Sequence, residues 1–474
     1  VSILAIDQGT SATKAVVVDD AGAALAVAEE PVRPRYLPGG GVEHDPGALW
    51  DSVLTAGRRA LARAGGQVRA VALANQGETV LAWDPATGEP LSPAIVWQDR
   101  RSEAVCAELS AHAERIAQRT GLVLDPYFSA PKMAWLRRTL TGRGVVTTTD
   151  TWLVHKLTGE FVTDAATASR SLLTGLDTAD WDGELLELFG LADERLPRIV
   201  GCDEVVGETG AFGDLVPVAG LVVDQQAALL AEGCTTAGDA KCTLGTGAFL
   251  LVNVGERTVP SATGLTTSVA WRARGSTPRC VDGQVYTAAS ALDWVRQLGL
   301  LDRLTDLDEL GVDDTDGVLC VPALAGLAAP WWRSDARAAF VGMGLSTRAE
   351  HLVLAVVEGI AAQIAELVDL VARDLGTPPD RLRVDGGLTR SAAVSQAIAD
   401  LLRIPVEVYP SPHATALGAA ALARLAVEPG LALADAVPGW SPSRVLEPRW
   451  PERRTREFRE RWLATAEATL PVRR

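Results

Sequence analysis

The sequence predicts an α/β protein whose two halves face each other across a cleft. Three observations carry that expectation. A chain of 474 residues is too long for one comfortable core, so two or more domains are expected. Strand-like and helix-like stretches alternate along it. One unusual stretch, an apolar run closed by a Gly-Thr loop and followed by a β-branched run, opens the chain and recurs about half a chain later.

The first copy runs from Ile3 to Asp19. Ile3, Leu4, Ala5 and Ile6 end in Asp7, a small polar loop spans Gln8 to Thr13, and Lys14 opens a second run, Ala15 to Val18. This reads as a β-hairpin with a Gly-containing tip. Gly9 lacks a Cβ, so backbone N–H groups can come close to a phosphate, while Thr10, Ser11 and Thr13 add hydroxyl donors and Lys14 adds charge. Asp7 is the natural residue to hold a magnesium ion, directly or through water. A plain tight hairpin has the same pattern, and this stretch alone does not separate the two.

Ala23 to Glu29 follows as a third strand. Asp45 and Pro46 then start a helix as N-cap and first helical residue. Val68 to Ala74 is a strand that stops at Asn75-Gln76-Gly77-Glu78, and polar residues at such strand ends are where α/β folds place sites. Trp97 stands beside Arg100 and Arg101, a pattern usual for packing residues with salt-bridged neighbours, and Tyr127 falls in a loop before a helix. Asp150 to Gly159 is a short amphipathic helix in which His155 is structural. Leu215 to Val223 is a strand leading into Asp224, Gln225 and a helix; Asp224 is there as a helix cap or as a catalytic carboxylate facing a cleft.

The second copy of the opening pattern is Lys241 to Val252, with its tip at Gly245-Thr246-Gly247 and Phe249 just beyond. Two such hairpins suggest duplicated domains that offer both loops to one phosphate chain. A helix follows within Val285 to Leu300, with Leu292 and Trp294 inward, then a strand at Val318 to Pro322. His351 to Leu375 is a long apolar helix suited to burial between layers. Leu382 to Asp385 is a strand ending in Gly386-Gly387, which satisfies a tight bend or lets a nucleotide lie against the backbone. Helices at Ser391 to Leu402 and Ala414 to Leu425, the latter tightly packed through Gly418, flank a strand at Pro405 to Tyr409. The tail after Pro438 reads as a solvated closing helix.

Composition narrows the class. Apolar residues make up 47% and charged residues 22%, as in globular proteins, and the net charge of −16 argues against nucleic acid or an anionic membrane as partner. The six cysteines are scattered without metal-ligand spacing, which fits free thiols in a reducing cytoplasm. No basic leader precedes an apolar core and no uninterrupted apolar run is long enough to span a bilayer, so a cytoplasmic location is expected.

Taken together, Asp-Gln-Gly-Thr at 7–10, Val-Glu-His-Asp-Pro at 42–46, Asn-Gln-x-Glu-Thr at 75–79, Ala-Ile-Val-Trp-Gln at 94–98, Asp-Pro-Tyr-Phe-Ser at 125–129, Asp-Thr-Trp-Leu at 150–153, Asp-Gln-Gln-Ala-Ala-Leu at 224–229, Gly-Thr-Gly-x-Phe at 245–249 and Val-Asp-Gly-Gly at 384–387 resemble the FGGY carbohydrate kinases, and within them the glycerol kinase branch. The resemblance covers nearly the whole chain. It implies two ribonuclease-H-like domains of the actin and hexokinase type, residues 1–232 and 233–474, with MgATP between them and transfer of the γ-phosphoryl group to a primary hydroxyl. It implies Asp224 as general base. It assigns the polyol or sugar to Glu78, Trp97, Tyr127, Asp224, Gln225 and Phe249, the nucleotide to Gly9, Thr10, Ser11, Lys14, Thr246, Gly387 and Ser391, and the metal to Asp7. Homodimeric and homotetrameric states are both compatible with it.

Departures from the family bear on the acceptor. An arginine that donates to polyol hydroxyls precedes the glutamate in glycerol kinases, and here that position is Gly77. Losing such bonds, worth roughly 1.5–3 kcal/mol each, weakens glycerol binding unless something replaces them, and Gly77 leaves space. A tetritol, pentitol or ketose such as xylulose or ribulose is therefore the alternative acceptor to glycerol. Ala289 stands where a glycine near the γ-phosphate is usual. The segment Ala211 to Leu215 lacks the basic loop through which some relatives bind a sugar bisphosphate, so no such inhibition is expected. The reading from another class, an actin-like ATPase or sugar sensor, has no need for Asp224 together with Glu78, Trp97 and Tyr127.

Overall fold

The computed structural model describes residues 2–258 and 260–470. The opening hairpin is β1 (Ser2–Gln8) and β2 (Ala12–Val18), extended by β3 (Ala24–Pro31). Helix α1 (Pro46–Ala64) crosses back to β4 (Val68–Asn75), which pairs parallel with β1. The Asp45 side chain caps α1, accepting from the N–H groups of Gly47 at 2.8 Å and Ala48 at 3.2 Å. Two later strands, β5 (Gly207–Thr209) and β6 (Val216–Val223), complete a six-stranded sheet in the order β5-β6-β4-β1-β2-β3.

The register of this sheet decides where the chemistry lies. Asp7 stands opposite Ala74 on β4, and Val223 on β6 stands opposite Asn75. The Gly9 loop, the turn Gln76–Glu78 and Asp224 therefore leave the sheet at one end. Period-two alternation divides the sheet's two faces. Leu4 and Ile6 pack with Leu49 and Val53 of α1, while Ile3 and Ala5 pack on the other side.

The second sheet repeats the plan. Its hairpin is β7 (Ala240–Leu244) and β8 (Ala248–Gly255), followed by β9 (Thr266–Val269), β10 (Arg279–Val285), β11 (Leu382–Asp385), β12 (Val406–Val408) and β13 (Arg444–Leu446), in the order β9-β10-β8-β7-β11-β12-β13. Thr243 faces both Phe249 and Asp385. The hairpin tip and the Gly386-Gly387 turn therefore share a sheet end, as the first hairpin does with Asp224. Gly386 has φ +94°, and a Cβ there would lie 2.5 Å from the carbonyl oxygen of Leu244, so the turn can only be this tight with glycine.

Three helices cover the sheets around the site. Helix α2 (Asp224–Ala231) follows β6 directly. Helix α3 (Ala349–Leu375) has a mean hydropathy of 1.7 and the length to cross a bilayer, but 78% of its apolar window is buried against the second sheet and its neighbours. Helix α4 (Ala414–Val427) comes from the second half of the chain yet packs on β1, β4, β6 and α2. The strands of the first sheet lie within residues 2–223 and those of the second within 240–446, and their layers interlock through α4. Two expectations differ in detail. Trp294 is only half-buried, because it packs at the margin of the core. The tail forms β13 and a helix, Glu452–Thr469, whose Trp462 is buried and donates to the Cys320 carbonyl at 2.8 Å, so one face of that helix belongs to the core.

Candidate active site

The ends of the two sheets enclose a small inner cavity of about 20 Å³ walled by Glu78, Tyr127, Arg170, Asp224, Gln225, Phe249 and Asp282. Glu78 sits in the turn after β4 with φ +57°, a left-handed conformation that costs a non-glycine residue about 1–3 kcal/mol and persists where its surroundings fix it. What fixes it is Arg170, whose Nε donates to Glu78 Oε1 at 2.6 Å.

Asp224 opens α2 at the carboxyl end of β6. Its Oδ1 accepts from the Gln225 N–H at 2.7 Å. Burial raises its pKa to about 7, the charges of Asp7 and Glu78 add to the shift, and Lys241 opposes it. Gln225 is oriented from behind. The fully buried Lys241 ammonium, 2.7 Å from both Gln225 Oε1 and Thr243 Oγ1, can only donate. The amide oxygen therefore faces Lys241, and the NH2 group is left for the cavity.

The outer wall is aromatic. Trp97 meets Tyr127 at 5.6 Å and Phe249 at 6.1 Å between ring centroids, both edge-to-face. Trp97 and Tyr127 also line a wider cavity of about 540 Å³ outside it. Trp97 Nε1 donates to Thr10 Oγ1 at 2.9 Å, and Thr10 donates to Gln76 Oε1 at 3.2 Å, so the first hairpin is tied to this wall. The loop bearing Tyr127 is held by the buried Lys132, whose Nζ donates to the carbonyls of Pro126, Tyr127 and Phe128 at 2.9, 2.5 and 2.6 Å. Burial lowers the Lys132 pKa to about 7.

Gly77 does not widen this pocket. A Cβ at 77 would lie 2.9 Å from Val223 Cγ2, so the room expected there is taken by Val223, and the guanidinium in the cavity is that of Arg170.

On the far side, Lys14 and Gly387 line a cavity of about 750 Å³ with Gly386, Tyr409 and Arg444. Gly387 and Ser391 border a second, of about 350 Å³, with Arg296 and Arg303. The Ser391 hydroxyl is engaged locally: it donates to Asp308 Oδ1 at 2.7 Å and caps helix Ala392–Leu402. The Thr246 carbonyl accepts from the N–H groups of Ala288 at 2.9 Å and Ser290 at 3.2 Å, which pins the second hairpin to the following helix, and Ala289 there supplies its own N–H to Gly245. Gly9 closes the first tip through its N–H to Ala12 O at 3.1 Å, and Ser11 accepts from the Val32 N–H. The Asp7 carboxylate has no hydrogen-bond partner among the described residues. Burial raises its pKa to about 6, Lys14 lowers it and Asp385 adds to it. The neighbouring Asp385 Oδ1 is also buried and unpartnered. Two carboxylates with free hard oxygens suit magnesium, which takes one or two carboxylates and completes its shell with water and phosphate.

Sequence reasoning missed Arg170, Asp282, Lys241 and Lys132. Only Lys241 carried a local signal, a lysine inside an otherwise apolar strand.

Comparison with known proteins places the chain in a family. The model of the FGGY family of carbohydrate kinases, N-terminal domain, matches residues 2–231, and that of its C-terminal domain matches residues 240–427. The chain belongs to the FGGY family of carbohydrate kinases. This kinase is 42% identical to a glycerol kinase of Bordetella parapertussis, over 98% of this chain and 96% of that one. It is 41% identical to a glycerol kinase of Thermus brockianus over 98% of both. In structure it is similar to the Plasmodium falciparum glycerol kinase crystallised with ADP, at a TM-score of 0.91 and 32% identity, covering 100% of this chain and 99% of that one. The two-domain actin and hexokinase-type architecture is thus that of a phosphotransferase.

Proposed function

We propose that this kinase transfers the γ-phosphoryl group of ATP to a primary hydroxyl of glycerol or a closely related small polyol. The observation that carries the reading is Asp224 at a strand end, in one small cavity with Glu78, Gln225 and the aromatic rings of Tyr127 and Phe249, beside two glycine-bearing turns suited to phosphates. Aromatic faces cover the carbon chain, and Glu78 and the Gln225 amide hold its hydroxyls. Asp224, with a pKa near 7, takes the proton of the attacking hydroxyl as its oxygen bonds to phosphorus and ADP leaves. Asp7, with Asp385 close by, would hold magnesium, which when bound neutralises phosphate charge. Lys14, the hairpin tips at Gly9–Ser11 and Thr246, and Gly387 hold the phosphates by charge and backbone N–H groups, and Ser391 borders the cavity of about 350 Å³ beyond Gly387, where the nucleoside would lie. The free cysteines, five of the six buried, fit a reducing cytoplasm.

A second reading, a longer polyol or ketose, is favoured by the wide outer cavity that shares Tyr127 with the inner one. The inner cavity holds only one or two water-sized groups and favours a short acceptor. ADP release measured over glycerol, erythritol, xylitol, xylulose and ribulose, with Asp224→Ala as control, separates them. Glycerol is expected to give the highest kcat/KM, and the Asp224→Ala rate is expected to fall about 100-fold or more. Undiminished activity in that variant would remove Asp224 from the role of base.

A further inference from the structure

We infer that Arg170 reads a hydroxyl of the acceptor next to the one that reacts, so that the enzyme selects a vicinal diol adjoining its primary hydroxyl; this rests on the function proposed above. Arg170 is 5% exposed and follows the short helix Ala165–Ser169. Its Nε donates to Glu78 Oε1 at 2.6 Å. Its Nη1 donates to Asp282 Oδ1 at 2.7 Å and lies 3.4 Å from Ser268 Oγ. Asp282 is on β10 of the second sheet, so the pair spans both halves of the molecule. The guanidinium also lies over Tyr127, 5.8 Å from its ring centroid, and over Phe128 at 5.4 Å.

That arrangement fixes the group on three sides and leaves one. The two Nη2 hydrogens have no partner among the described residues, in a group that cannot lose its proton, at the wall of the inner cavity. Glu78 Oε2 likewise accepts no hydrogen bond among the described residues. A hydroxyl that accepts from Nη2 and donates to Glu78 satisfies both at once, and its neighbour carries the reacting oxygen toward Asp224. Position 77 offers no side chain for this task, and Val223 closes the space there.

The test compares glycerol with propane-1,3-diol, which keeps both primary hydroxyls and lacks the middle one, on wild type, Arg170→Gln and Arg170→Lys. Wild type is expected to prefer glycerol by about 100-fold or more in kcat/KM, because a site built around a hydroxyl rejects the analogue without it. In Arg170→Gln that preference collapses to within about fivefold, through a rise in the glycerol KM larger than the fall in kcat, with the ATP KM unchanged. Arg170→Lys, which keeps the charge, regains part of the preference and serves if the glutamine variant does not fold. Equal losses on both acceptors would mean a merely structural role and overturn the inference while leaving the proposed function standing. Absence of turnover by wild type with any polyol would overturn the function and this inference with it.

Discussion

Gly418 on α4 meets the carbonyl of Ala227 on α2, and a Cβ added there would lie 1.9 Å from that oxygen and 2.6 Å from its carbon. Contacts under 3.0 Å are essentially never seen for real Cβ atoms, so in Gly418→Ala the two helices must separate by roughly 1 Å. Backbone cannot swing aside as a side chain can. Overpacking of this kind costs about 1–3 kcal/mol and occasionally more, against a gain of about 1 kcal/mol from replacing glycine by alanine within a helix. With the clash at the upper end, the net loss is about 2 kcal/mol, or a Tm lower by about 4–8 °C for a domain of this size. Ala227 is one turn beyond Asp224 on α2, so the displacement reaches the proposed base, and a 1 Å misplacement of a catalytic group costs about 100-fold in rate. Thermal unfolding and steady-state kcat measured together, with Gly66→Ala in open space as control, decide it. A Gly418→Ala protein with wild-type Tm and kcat would show that α2 and α4 have room, and that the close approach is not what seats Asp224.

Three further outcomes are expected. Lys132→Met leaves the carbonyls of Pro126, Tyr127 and Phe128 without their buried donor, at about 1–3 kcal/mol per unsatisfied group, so thermal unfolding shifts down and the acceptor KM rises more than kcat falls. Glu358 on α3 has its pKa raised from 4.5 to about 8, chiefly by burial and with Arg454 opposing. The folded state thus keeps a proton that the unfolded chain has lost, and stability falls as pH rises from about 4.5 through 8; Glu358→Gln removes that slope, so its Tm advantage over wild type grows between pH 5 and 8, and a constant difference across that range refutes the assignment. Glycerate, with a primary hydroxyl but a carboxylate, is expected to show kcat/KM about 100-fold or more below glycerol in the ADP-release assay.

How much of this was legible in the sequence depends on whether the signal is local. The opening hairpin, its echo at Gly245, the Asp45 cap and the Gly159 helix stop are each written within a few residues, and all appear in the fold. Asp224 could be singled out as a strand-end carboxylate, but choosing between cap and base required knowing what else reaches that sheet end. The register of β1, β4 and β6, which brings Glu78 and Asp224 together, is a pairing of residues far apart in the chain. Arg170 lay beyond local reading for the same reason: its partners are Glu78 and Asp282, 92 and 112 residues away. Gly77 misled because a missing side chain reads as space, whereas the fold fills that space with Val223 from a strand remote in sequence.

The same long-range assembly sets the charge of the acceptor. Around the inner cavity stand Glu78, Asp224 and Asp282, and the cations near them are already engaged. Lys241 is committed to Gln225 and Thr243, Lys132 to three carbonyls, and Arg170 to two carboxylates, with only Nη2 left over. A carboxylate entering the cavity about 5 Å from any one of these acids, when ionised, would meet about 3 kcal/mol of repulsion at an effective dielectric of about 20, and among the described residues the cations beside it are each already paired, Arg170 offering only its Nη2 in return. Hydroxyls meet no such barrier, since each can donate to a carboxylate and accept from Nη2 or the Gln225 amide. A neutral polyol is therefore the acceptor this cavity can both admit and orient. Burial is the main reason the Asp224 pKa is raised to about 7, with the charges of Asp7 and Glu78 adding to it, and an acceptor that brought positive charge close would lower it again and weaken the proposed base.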